Sequence, residues 1–244
     1  MTEADNCMGT GNKTLPTVWA REIILRVLVF LEGIMKNVVS TLRLSVCAGL
    51  LIAIGGSVFL SCENRYIGAM LFSVALLCIC YRGYYLYTGK IGYAVTEHKK
   101  SDIVSLAVGL VGNLFTAYFL GLMLSFMIPA LKTAAVSLCA AKLALTIPSV
   151  FVRALFCGVL MYLAVSIFRE KKSVLGIIFC VPVFILSGFE HSIADTFYFG
   201  AAGVFGWRFL LFTAAAVAGN SLGAMILPLL DPAHMASDPD GGVK

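Results

Sequence analysis

Residues 184–195 read FILSGFEHSIAD. Both flanks are apolar, yet Glu190, His191 and Asp195 stand inside the stretch, beside the helix-weakening pair Ser187-Gly188. A charge at the centre of a bilayer costs about 2.5–3.5 kcal/mol on insertion scales, so intramembrane titratable groups are mostly functional. Whether this stretch sits in a bilayer is decided by its surroundings. The chain has 244 residues, 60% hydrophobic and 13% charged. Its mean hydropathy is +0.94. A soluble domain of that length cannot hide so much apolar surface, which predicts a polytopic membrane protein.

Six apolar blocks run outward from this stretch, over residues 43–61, 66–89, 103–128, 150–168, 173–198 and 206–230. Each approaches the roughly 20 residues that cross a hydrocarbon core about 30 Å thick. They define an expected six-span domain over 43–230. Residues 18–42 read differently. Ile23, Ile24, Val27, Leu28, Leu31, Ile34 and Met35 recur at helical spacing among Arg21, Glu22, Arg26, Glu32 and Lys36, as in an amphipathic interfacial helix. Residues 1–17 are polar and expected to be disordered. They lack a basic start followed by an apolar core, so no cleaved signal peptide is expected. Residues 231–244 read as a polar, disordered tail.

Charge sets the orientation. Lys13, Arg21, Arg26, Lys36, Arg43, Lys99, Lys100, Arg169, Lys171, Lys172 and Lys244 fall on one side, and Arg65, Lys132, Lys142, Arg153 and Arg208 on the other. The excess places both termini in the cytoplasm; the membrane expected for the chain is the inner (plasma) membrane. The net charge of +5 therefore reports topology. No basic stripe with interleaved aromatics points to nucleic acid. The eight Cys lie mostly inside apolar runs without a CxxC pair, and read as small core residues. Cys62 and Cys139, near segment ends, are the one pair placed to meet.

An internal repeat organises the chain. The second block is interrupted near Tyr87-Thr88-Gly89-Lys90 and followed by Gly112-Asn113. The fifth is interrupted at Ser187-Gly188 and followed by Gly219-Asn220. Three spans per half is an odd number, so the halves face opposite ways. Matching interruptions in inverted halves point to a midplane site. Asn113 and Asn220 can bond the backbone groups that the breaks release, or each Gly-Asn can be a small-residue packing contact.

These residues resemble a known family. Ser187-Gly188-Phe189-Glu190-His191-Ser192-Ile193-Ala194 is similar to the fifth-span signature of the formate/nitrite transporters, and Leu86-Tyr87-Thr88-Gly89 to their second-span break. The resemblance covers roughly residues 20–230. It implies an all-α, aquaporin-like fold of six transmembrane helices with broken second and fifth spans. It also implies a homopentamer in which each protomer carries its own pore for small monovalent anions. By the same resemblance His191 is the pore histidine and Thr88 faces it. Lys142, in the loop after the third span, lends positive field to the outer vestibule. Phe72, Leu76, Phe184 and Leu86 are apolar constrictions, and Asn113 and Asn220 stand near the breaks. The chain departs from the pattern where the family has an acid (here Tyr85) and where it has an asparagine (here Asp195). Arg82 is an unusual charge inside the second span.

The residues carry a chemistry of their own. An anion entering a bilayer loses hydration worth several kcal/mol. Half-helix ends offer partial positive charge, and one histidine adds a donor able to carry a proton. A weak acid's anion can be protonated and cross as a neutral molecule, or cross as an anion with His191 neutral. Both stay open, and formate, nitrite, hydrosulfide, acetate and lactate all fit. The plainer readings are a packing histidine, a structural Glu190 turned towards Lys142, and Lys132 and Arg153 snorkelling to headgroups. For Asp195 the candidate partners are His191, Arg82 and Lys142, and Lys142 is favoured because it can draw on Glu190 as well. An intramembrane enzyme is the second class. It is opposed by a single membrane His, the lack of a metal-ligand set, and no placed nucleophile. A neutral-solute pore of aquaporin type is the third, and the Asn-Pro-Ala it would carry is missing. No cofactor and no metal are expected.

Overall fold

The computed structural model describes residues 18–96 and 100–231. The segment 1–17, the tail from 232, and with them Cys7, Lys13, Lys99 and Lys244 lie outside them. Every regular element among the described residues is helical: α1 (Val18–Ser61), α2 (Arg65–Arg82), α3 (Tyr87–Lys90), a 3₁₀ turn (Ile91–Val95), α4 (Lys100–Met127), α5 (Pro129–Leu143), α6 (Ile147–Lys171), α7 (Leu175–Leu186), α8 (Ser192–Ala202) and α9 (Trp207–Leu230). Five of these, α1, α2, α4, α6 and α9, are long and apolar enough to cross a membrane, and α7 is a shorter apolar helix.

Local chemistry explains several of the ends. Asn64 caps α2, its Oδ1 accepting from the Tyr66 and Ile67 N–H groups at 2.9 and 3.2 Å, as a side-chain acceptor does for the orphan donors of a helix start. Proline stands in the first turn of α5 and of α6, where its missing N–H costs nothing.

Three expectations change. The interruption expected at Tyr87–Lys90 lies earlier, between the end of α2 at Arg82 and the start of α3 at Tyr87. Gly83 takes a left-handed conformation there, φ 66°, ψ 26°, which glycine adopts without a Cβ clash. Arg82, expected inside the second span, is thus the last residue of α2. Lys142 is not in a loop: α5 carries it in its last turn. The run after Pro129 is rich in Ala and Leu, good helix formers.

The chain divides into two compact units, the second beginning at Val38. In the first, the side chains of residues 21–29 and 31–36 are all exposed, including the expected apolar stripe. Lys36 and Glu32 pair at 2.7 Å one turn apart. In the second unit, α6 packs along α9, α2 along α7 and α4 against α8. The closest approach needs glycine. A Cβ at Gly158 on α6 would lie 2.2 Å from the Asn220 carbonyl oxygen on α9, and one at Gly223 on α9 would lie 1.9 Å from that of Leu155. Small residues let helix backbones approach this way where lipid offers no hydrophobic drive. The interior is aromatic, with Phe72, Phe197, Phe199 and Phe212 fully buried, while Phe115, Phe126, Phe179 and Trp207 stand outward. An outer surface this apolar suits hydrocarbon or another apolar surface.

Candidate functional site

Two interruptions built on one plan frame the site. α2 closes with the Gly83 N–H on the Cys80 carbonyl (3.3 Å) and the Tyr84 N–H on that of Ile79 (3.0 Å). α7 closes with the Gly188 N–H on the Ile185 carbonyl (3.2 Å) and the Phe189 N–H on that of Phe184 (2.9 Å). Gly188 has φ 69°, close to Gly83. Both are Schellman-type ends. All four pairs of equivalent residues are spaced 105 apart in the chain.

Each break is pinned by one asparagine. Asn113 on α4 accepts the Tyr87 N–H at 2.8 Å and donates to the carbonyls of Tyr85 (2.9 Å) and Ser45 (2.8 Å). Asn220 on α9 accepts the Ser192 N–H at 2.9 Å and donates to the carbonyls of Glu190 and Ala154, both at 2.8 Å. A side-chain amide has one acceptor oxygen and two N–H donors, and both asparagines use all three. Leu86 and His191, the residues between the pinned peptide groups, start α3 and α8 and are both buried.

His191 does two things at once. Its Nδ1 accepts the Ala194 N–H at 3.2 Å and so caps α8. That assigns the ring proton to Nε2, which donates to Thr88 Oγ1 at 2.9 Å. The Phe184 ring stacks on His191, centroids 5.6 Å apart and planes within 20°. Phe72 meets Phe184 edge-on at 6.4 Å. Leu76 is buried in the same apolar cluster, as is Leu86.

Beside the histidine, Lys142 binds two carboxylates. Its Nζ contacts Glu190 Oε2 and lies 2.8 Å from Asp195 Oδ1. The lysine side chain is 13% exposed and each carboxylate 3%. Asp195 Oδ2 is buried without a hydrogen-bond partner. A cavity opens here, lined among others by Arg65, Lys142, Phe184, His191, Asp195 and Tyr198.

The structure thus brings Thr88, His191, Lys142, Glu190 and Asp195 together, with Asn113 and Asn220 behind the breaks. Of the three partners weighed for Asp195, Lys142 holds the side chain. His191 receives the Asp195 backbone N–H on its carbonyl at 2.8 Å. Arg82 is exposed and forms no ion pair with it among the described residues. Glu190 and His191 lie between α7 and α8 and not inside a helix, and their side chains go to different partners, Lys142 and Thr88. Tyr85 stands where Glu190 stands in the second break. Its ring packs over Gly109, where a Cβ would lie 2.3 Å from Tyr85 Cε1. Arg153, read as a snorkelling residue, instead donates from Nη1 to the Gly188 carbonyl at 3.1 Å. A charge six residues into an apolar helix was the available signal. Cys62 and Cys139 are both free thiols. No group of three or more His, Cys, Asp or Glu among the described residues is placed to hold a metal ion.

Long apolar helices, packed around a buried polar site at two glycine-closed breaks, define a multi-pass membrane protein. The chain belongs to the formate/nitrite transporter family, whose model matches residues 31–231. Members of that family are transporters and not enzymes. The chain is 32% identical over 184 residues to a protein of Bacillus subtilis (strain 168) named "Uncharacterized transporter YrhG", covering 67% of this chain and 68% of that one. Among solved structures it resembles a "Pentameric formate channel with formate bound", with a TM-score of 0.68 and 21% identity over 80% of this chain and 96% of that chain. It also resembles an "FNT family ion channel", with a TM-score of 0.65 and 20% identity over 85% and 99% of the two chains.

Proposed function

We propose that this chain conducts small monovalent anions of weak acids, formate first, with nitrite, hydrosulfide, acetate and lactate in the same class. One observation carries the reading: the His191 Nε2 to Thr88 Oγ1 bond at 2.9 Å, made across two matching breaks. A donor at that point, next to the amide end of α8, offers an anion positive potential without a fixed counter-ion. Phe72, Leu76 and Phe184, with Leu86, are the apolar constrictions that strip its water. Asn113 and Asn220 hold the breaks open, and Lys142, Glu190 and Asp195 form the vestibule network.

In this reading α1, α2 with α3, α4, α6, α7 with α8, and α9 are six spans in two inverted halves. The Lys/Arg distribution supports cytoplasmic termini, and an inner (plasma) membrane location is part of the same reading. Likeness to a pentameric channel supports a homopentamer. The test is uptake of the five anions into liposomes carrying the full chain, at two pH values. Saturable uptake above protein-free vesicles for at least formate is expected. Uptake equal to protein-free vesicles for all five overturns the reading.

A further inference from the structure

Two cations border the cavity beside His191: Lys142 and Arg65. They share one aromatic wall. The Arg65 guanidinium lies over the Phe59 ring, 5.9 Å from its centroid. Phe59 leans on Tyr198 with centroids 6.1 Å apart, and Lys142 Nζ lies 5.9 Å from the Tyr198 centroid. The two charges differ in availability. Lys142 stands between two buried carboxylates, so that group has no positive charge to spare for a solute. Arg65 is exposed and enters no ion pair among the described residues. The positive field expected of Lys142 by resemblance therefore has its free source in Arg65.

The helix that carries Arg65 adds to the field. Arg65 is the first residue of α2, and the first turn holds no acid. A cation there opposes the helix macrodipole, so Arg65 weakens the helix instead of supporting it. The same placement sums the guanidinium charge and the partial positive charge of the helix start at one rim of the cavity. The other charges on this side stand back from it. Glu63 is exposed two residues earlier and does not border the cavity. Arg208 donates to the Leu143 carbonyl at 3.2 Å and Arg153 to that of Gly188 at 3.1 Å, and neither borders the cavity.

The identity of the cation selects among solutes. A guanidinium is a planar fork that meets two oxygens of one anion at once, whereas an ammonium acts as a point charge. Formate, acetate, lactate and nitrite all present such a pair of oxygens. Hydrosulfide has a single acceptor atom and meets only the charge.

We propose that Arg65 is the outer docking group for the solute: its fork draws carboxylates and nitrite into the cavity ahead of His191 and favours them over hydrosulfide. The step is a reversible encounter in which no covalent bond forms or breaks. The anion rests on the guanidinium at the rim, and then moves along the cavity to the histidine that borders the same space.

The inference rests on the anion-channel reading, and the experiment separates the two. Formate uptake is measured in right-side-out vesicles carrying the full chain, at low and at high salt. Acetate and chloride are added outside as competitors, chloride serving as the monatomic anion. In wild type, half-saturation by formate is expected to rise with salt, because an exposed charge is screened over about 8–10 Å at 0.1–0.15 M ionic strength. Arg65→Gln is expected to raise half-saturation about fivefold at low salt and to remove most of the salt dependence. Arg65→Lys keeps the charge without the fork. It is expected to keep the salt dependence and to narrow the preference for acetate over chloride by about threefold. Arg208→Gln removes a charge from the same side without touching the cavity, and is expected to match wild type. If Arg65→Gln does not assemble, Arg65→Cys is modified after assembly in a background without native cysteines. A cationic thiol reagent is then expected to lower half-saturation and an anionic one to raise it. Wild-type half-saturation in Arg65→Gln overturns the inference, as does an equal rise in Arg208→Gln, an unchanged acetate preference in Arg65→Lys, or the same response to both reagents. Uptake of no anion at all by wild type overturns the channel reading itself.

Discussion

At the scale of single residues, His191 is constrained from both ring nitrogens. Nδ1 caps α8 and Nε2 bonds Thr88. Asparagine is among the preferred helix N-caps, so His191→Asn is expected to keep the assembly while changing anion flux and its pH profile. His191→Phe fills the same space without a donor and is expected to block flux. Wild-type flux and pH profile in both variants would remove His191 from the pathway. Lys142 invites a different expectation from that of an open vestibule charge, because it is clamped between buried carboxylates. Truncating one member of a buried ionic cluster typically costs about 3–5 kcal/mol. Lys142→Gln is therefore expected to lower the unfolding temperature of the purified protein markedly, and less so in the Asp195→Asn background. Additive losses in that double-mutant cycle would show that Lys142 and Asp195 are not coupled.

At the scale of elements, the two breaks depend on their asparagines more than on helix propensity. Replacing Asn113 or Asn220 by Leu keeps the volume and leaves buried backbone groups without partners, at about 1–3 kcal/mol for each group. Both variants are expected to unfold at lower temperature in detergent, and by similar amounts, since the bond patterns match. Equal stability of wild type and Asn220→Leu would show that the break is held by something else. The second break was legible in the sequence because Ser187-Gly188 interrupts an apolar run beside Glu190 and His191, two residues that such a run otherwise excludes. The first was read four residues late. Gly83 sits between Arg82 and the aromatic run Tyr84-Tyr85-Leu86-Tyr87, and a left-handed φ leaves no mark in composition. α5 was missed as a helix because residues 129–143 continue the apolar character of α4, with Pro129 as the one sign of a new start. Arg153 was misread since hydropathy registers its charge and not the Gly188 carbonyl that its guanidinium finds.

At the scale of the whole molecule, the proposed arrangement of six spans in two inverted halves predicts sidedness. Single cysteines introduced at Arg65 and at Lys171 in a background without native cysteines are expected to react with impermeant thiol reagents from opposite faces of right-side-out vesicles. Labelling of both from one face would refute the six-span arrangement. The pairing of the breaks has one more consequence. Leu86 fills in α3 the place that His191 fills in α8, so the proposed pore wall, drawn twice from one template, would be greasy at one lip and polar at the other. A solute held by the polar lip rests off-centre, and half-saturation should differ between influx and efflux. Yet an uncoupled wall cannot rectify net flow at equal concentrations. The ratio of maximal rate to half-saturation concentration must then be the same in both directions. Any inequality of that ratio in sided vesicles would measure a second species moving with the solute.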